Sequence, residues 1–110
     1  MSFRVEKVSS ALKSAIGSIL LSKMSDPDLQ SISVSNVILS ADLKIAKIYV
    51  SSFESDSDKI LKKLKNARGY IRKELSGSVY LKYLPDLQFF YDSAFEFDQK
   101  RVDEPGVENQ

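Results

Sequence analysis

Residues 64–76, LKNARGYIRKELS, decide how the second half of the chain folds. Leu64, Ala67, Ile71 and Leu75 recur at the three-and-four spacing of one buried helical face. Gly69 sits in the middle of them, where glycine costs roughly 0.8–1 kcal/mol against alanine. Lys65, Arg68, Arg72 and Lys73 crowd around it, and Glu74 is the only acid of the stretch. The pattern predicts a helix, a break at Gly69, and a second short helix through Ile71 and Leu75 that ends at Ser76-Gly77-Ser78. Two readings of the break stand side by side. It can turn the chain to follow a curved sheet, or it can open a new helix whose free N–H groups and positive dipole end favour an anion. Cations on every side make phosphate the anion to which the second reading points.

Upstream of the break, Ile60, Leu61, Leu64 and Ala67 share one face, and Lys59, Lys62, Lys63 and Lys65 surround the other. Ser55 or Ser57, with Asp56 and Asp58, supplies caps for a helix that starts near Asp58. The chain opens with another amphipathic helix, from about Phe3 to Met24, burying Val5, Val8, Leu12, Ala15, Ile16, Ile19 and Leu20. Asp26 precedes Pro27 and is pushed out of the α region, so SDPDLQ at 25–30 reads as a turn. Ile32 through Ser51 reads as an antiparallel hairpin. Its first strand changes phase from Ile32 and Val34 to Val37 and Leu39, which predicts a bulge at Ser35-Asn36. Its turn is SADLK at 40–44, and its second strand, KIAKIYVSS, is rich in β-branched and aromatic residues. A last strand region runs from Val79 to Asp92, interrupted at Pro85, with Leu87, Phe89 and Tyr91 alternating. Residues 94–101 read equally as helical turn or loop, and 102–110 as a polar, acidic, disordered tail. The resulting order is α-β-β-α-kink-α-β: a single α+β domain with its helices on one face of a three-stranded sheet.

Composition narrows the chemistry. The chain of 110 residues suits one domain and has neither cysteine nor histidine. Thiolate nucleophiles, zinc–cysteine sites and the usual neutral-pH base are therefore absent. No apolar run approaches the roughly 18–20 residues of a membrane span. Residues 1–10, MSFRVEKVSS, carry Glu6 and lack a signal-peptide apolar core, so a cytoplasmic protein is expected. A formal charge of +1 hides an uneven distribution: +3 over residues 1–25, −4 over 26–58, +7 over 59–82 and −5 over 83–110. The basic maximum is centred on Gly69.

The element order resembles a K-homology domain of the second topological type, an RNA-binding module that usually carries a GXXG loop at the helix break. No GXXG occurs here; Ala67-Arg68-Gly69 occupies the position. That Ala-x-Gly kink resembles the ribosome-binding factor A family. SDPDLQ is similar to the family's Asp-Pro turn, and VSNVILSADLKIAKIYV (34–50) to its strand hairpin. ARGYIRKEL (67–75) resembles its kinked helices, and LPDLQFFYDSAFE (84–96) its last strand and acidic exit. These stretches stand in register and in order over about nine-tenths of the chain. Ala94 departs from the family, which often has serine one position after Ser93. Many members also carry a longer C-terminal extension, and functions of that extension are not carried over.

The resemblance implies a K-homology-like ribosome-binding domain over residues 1–101 and a non-catalytic factor that binds the free small (30S) ribosomal subunit and its 16S rRNA. Late subunit maturation and rRNA processing would be its task, performed as a monomer without cofactor, metal, membrane or small-molecule substrate. Lys62, Lys65, Arg68, Gly69, Arg72 and Lys73 are the expected RNA contacts. Arg4, Lys7, Lys13, Lys44 and Lys47 are secondary candidates. A general K-homology-fold RNA or protein adaptor not tied to the ribosome is the alternative.

Other features are weaker. Arg68-Gly69-Tyr70 begins like an RNA-recognition sheet motif but continues with Ile71-Arg72, so Tyr70 reads as a packed helix residue. Phe89, Phe90 and Tyr91 could stack bases, yet rings on an alternating strand favour the core. Asp92, Glu96 and Asp98 are the only candidate Mg²⁺ ligands, with no phosphate-cradling loop to accompany them. Asp26 and Asp28 read as capping and turn residues.

Overall fold

A computed structural model describes residues 3–53, 56–78 and 83–92. Helix α1, Phe3–Ser22, is followed by the one-turn helix α2, Pro27–Gln30. Strands β1, Ser33–Leu39, and β2, Ile45–Ser51, come next, then helix α3, Ser57–Leu75, and strand β3, Asp86–Tyr91. The expected α+β order is present. Within it, SDPDLQ is a helical turn and not a plain turn. Asp26 is its N-cap, accepting from the Asp28 backbone N–H at 2.9 Å, and Pro27 occupies the first turn, where its missing donor costs nothing.

The sheet order is β1-β2-β3, with β1 and β2 antiparallel and β2 and β3 parallel. A parallel pair needs a long crossover, and α3 supplies it. The register shifts between Val34 and Asn36, so the bulge falls where the phase change in the sequence predicts it. It brings the Ser35 hydroxyl within hydrogen-bond distance of both Tyr49 O (3.0 Å) and an Asp92 carboxylate oxygen (2.9 Å). The hairpin turn is fixed by Ser40, whose hydroxyl accepts from the backbone N–H groups of Lys44 and Ile45. Leu43 takes the left-handed conformation there, with φ of 63°.

The helices cover one face of the sheet. Leu12, Ile16, Ile19 and Leu20 of α1 and Ile60, Leu64, Ile71 and Leu75 of α3 are buried against Val37, Leu39, Ala46, Ile48, Val50 and Leu87. Phe89 and Tyr91 pack on this core as the alternation predicts. Phe90, between them, lies on the other face and stacks on Tyr49, with ring centroids 5.3 Å apart. Among the described residues no helix is long and apolar enough to cross a membrane. The last strand is shorter than expected: Tyr83, Leu84 and Pro85 precede it outside the ladder, and residues 79–82 lie outside the described residues. So do residues 93–110, including Ala94, Glu96, Asp98 and the acidic tail.

The expected break at Gly69 is absent. Helix α3 runs unbroken from Ser57 to Leu75, and Gly69 has no positive φ. The physical reason is the apolar stripe. Ile60 and Leu64 before the glycine, and Ile71 and Leu75 after it, face the same core and are each fully buried. Burying side chains of this size is worth about 1.5–3 kcal/mol each, which outweighs a propensity cost of about 1 kcal/mol. The N–H donors expected from a second helix start are consequently engaged inside α3.

Since Gly69 is exposed, and a Cβ added there would meet nothing within 4 Å, Gly69→Ala is expected to raise stability by up to about 1 kcal/mol. Thermal and urea melting measure it; a loss of stability would mean that the native backbone at this position demands glycine.

Candidate nucleic-acid interface

Helical spacing sorts the cations of α3 into three groups, and the contacts made by each group are distinct. Lys59 and Lys63 lie toward α2. Lys63 Nζ sits 2.8 Å from Asp26 Oδ2 and 2.7 Å from Asp28 Oδ2, and Lys59 Nζ lies 3.4 Å from Asp28 Oδ2. The hydrogen bond from Lys63 holds both carboxyls below their ordinary value of 3.8. The same two partners, Asp26 first, raise Lys63 above 10.5. Asp26 thus performs the capping read from the sequence, and both acids form an ion pairing that the sequence did not reveal.

Arg68 and Arg72 lie toward β3 and are half-buried. Arg68 Nη1 reaches Leu87 O at 3.4 Å, and Arg72 Nη1 donates to the carbonyl oxygen of Pro85. Both residues therefore hold the start of β3 against the helix. Each guanidinium carries five donors in a planar fork, so one such bond leaves further donors for other partners.

Lys62, Lys65, Gly69 and Lys73 form the third group, all exposed on the outward face. Among the described residues no ion pair engages Lys62, Lys65 or Lys73. They extend over about 16 Å of helix, from eleven residue-to-residue steps of 1.5 Å each. The residues three and four positions on either side of Gly69 are Lys65, Asn66, Arg72 and Lys73, and such residues are its surface neighbours on a helix. A patch of bare backbone is therefore ringed by three cations and an amide. Neither conformation nor internal packing explains a glycine here.

The remaining candidates scatter. Arg4, Lys7 and Lys13 are exposed on α1, and Lys44 and Lys47 are exposed at the hairpin end, on the sheet face opposite α3 in the case of Lys47. Tyr70, 42% exposed, extends its hydroxyl toward the Lys23 carbonyl. Among the described residues no group of three or more His, Cys, Asp or Glu side chains could hold a metal, and the carboxylate of Asp92 accepts from Ser35.

The three-stranded mixed sheet, with its parallel crossover through a cation-faced helix, defines a small K-homology-like α+β domain. Comparison with known proteins refines that class. The family model described as ribosome-binding factor A matches residues 4–104, and the chain belongs to this family. It is 34% identical to the ribosome-binding factor A of Acetivibrio thermocellus, over 97% of this chain and 92% of that protein. It is 36% identical to that of Caldicellulosiruptor bescii, over 86% of this chain and 75% of that protein. The crystal structure of ribosome-binding factor A from Thermus thermophilus superposes with a TM-score of 0.75 at 27% identity, covering 82% of this chain and 97% of that one. A Thermus thermophilus ribosome-binding factor A homology model, fitted into the cryo-EM map of a 30S complex, gives 0.67 at 28% identity, covering 77% and 91%.

Two outcomes are expected from this geometry. Carboxyls with a depressed folded pKa contribute stability that is present above their unfolded value and lost as pH falls through the folded one. Lys63, raised, contributes stability that is present below its unfolded value and lost as pH rises through the folded one. Melting of wild type against Asp26→Asn/Asp28→Asn should therefore show a gap at neutral pH that closes below about pH 4. A gap that widened in acid would contradict the pairing. Separately, Arg72→Gln should lower the melting temperature more than Lys62→Gln, because the Pro85 carbonyl loses its donor.

Proposed function

We propose that this protein binds the free 30S ribosomal subunit and its 16S rRNA, and assists late subunit maturation and rRNA processing without catalysing a reaction. The observation that carries this reading is the likeness to the Thermus thermophilus factor whose coordinates were fitted into a 30S complex map. A cytoplasmic, monomeric protein with no cofactor fits the same reading.

The contact surface we propose is the outer side of α3. Lys62, Lys65 and Lys73 supply positive charge with no internal partner among the described residues. Arg68 and Arg72 have donors to spare beyond the Leu87 and Pro85 carbonyls. Gly69 lets a phosphodiester approach the helix between these cations, where any larger side chain would hold it off. Phosphate contacts position a protein without reading sequence. Recognition would then depend on the shape of the RNA, which suits a folded subunit better than a short oligonucleotide.

Gradient sedimentation of cell extract should find the protein with free small subunits and largely not with complete ribosomes. An even spread over the gradient, or absence from every ribosomal fraction, would overturn the reading. With about three to four phosphate contacts, log affinity for subunits should fall against log salt with a slope of about −3. Lys62→Glu/Lys65→Glu/Lys73→Glu should weaken binding well beyond tenfold with little change in melting, since exposed charges contribute little to stability. Gly69→Ala should bind more weakly even though it melts higher. Normal binding by the triple variant would move the interface elsewhere on the molecule.

A further inference from the structure

Seven cations lie on α3, yet the two nearest α2 are each tied to an acid, and Lys63 is tied to two. Half-buried ion pairs that stay open to solvent, as these do, contribute only modestly to stability. Anchoring α2 is thus a weak reason to set two carboxylates on one ammonium, because the carboxylates also repel each other. Their effect on the surface is larger. Lys63 keeps 30% of its side-chain exposure and Lys59 46%, so both would be within reach of a polyanion if the acids let them go. Without these acids they would widen the cationic strip of α3 by roughly a quarter turn, toward α2. The acids cancel that flank and leave the positive track of α3 on its outer face.

We propose that Asp26 and Asp28 are specificity-determining residues for the RNA interaction: they withhold Lys59 and Lys63 from phosphate and restrict the RNA backbone to the outer face of α3. The proposal rests on the RNA-binding reading above. A polyanion of the wrong shape that lies across the α2 side meets carboxylates and is repelled. One that follows the Lys62–Lys73 line meets cations and no carboxylate, since residues 62–73 include no acid. Discrimination comes from cancelling attraction where it is not wanted, as well as from placing it where it is.

Asp26→Asn/Asp28→Asn tests this, because asparagine caps a helix about as well as aspartate, while Lys63 loses both of its carboxylates and Lys59 loses its bond to Asp28. Binding to an unrelated RNA duplex and to purified small subunits is measured over a range of salt. The variant's slope for the duplex should steepen by at least about 0.7–0.9, the contribution of one added contact from Lys63. Its affinity for the duplex at low salt should rise at least severalfold, while affinity for subunits rises less, so the preference for subunits falls. Adding Lys59→Gln/Lys63→Gln to the variant should restore the wild-type slope. If the slope is unchanged while melting falls, the acids are only a structural clamp and the inference is overturned. If wild type shows no salt-dependent binding to either partner, the RNA-binding reading itself fails and takes this inference with it.

Discussion

The packing of one apolar stripe governs this molecule. Ile60, Leu64, Ile71 and Leu75 must all reach the same core, formed by the inner face of the sheet and by α1. That requirement keeps α3 helical through Gly69. It also fixes the rotation of the helix, and with it the direction of every charged side chain. Lysines that share a helix with four fully buried residues have only the flanks and the outer face available to them. The cationic outer face is thus the necessary reverse side of the core stripe.

Around that helix, polar contacts locate the smaller elements. The Lys59–Lys63 flank holds α2 through Asp26 and Asp28, and the Arg68–Arg72 flank holds the entry of β3 through its carbonyls. The far end of β3 is held by other means. The Tyr91 hydroxyl meets the backbone N–H of Ser52 at 3.2 Å, and the Asp92 carboxylate accepts from Ser35 on the bulge. An edge strand of six residues is therefore fastened at both ends by side chains. Because two of the fastening groups come from α3, the proposed RNA face and the edge strand form one mechanical unit. A change in the arginines is felt in the sheet as well as on the surface.

Much of this was legible in the sequence. The amphipathic first helix, the hairpin, its bulge and the alternation in the last strand each follow from spacing alone, because burial imposes a period that the residues must match. The family was legible from short motifs in fixed order. The helix break was not, because glycine's local cost says nothing about the tertiary burial on either side that exceeds it. Nor was the division of the cations. Lys62 and Lys63 are neighbours in the chain, yet a rotation of about 100° per residue sends one to solvent and the other to two carboxylates more than thirty positions earlier. Long-range pairing of this sort leaves no periodic trace. The carbonyl contacts of Arg68 and Arg72 were hidden for the same reason.

The most direct test of the account is the reactivity of individual lysines toward an acetylating reagent, read by mass spectrometry for the free protein and for the protein bound to small subunits. In the free protein Lys62, Lys65 and Lys73 should react faster than Lys63, whose ammonium is held by two carboxylates. On the subunit the account predicts that those three become protected while Lys44 and Lys47, at the hairpin end of the molecule, stay reactive. Protection of Lys44 and Lys47 with Lys62, Lys65 and Lys73 still exposed would contradict it.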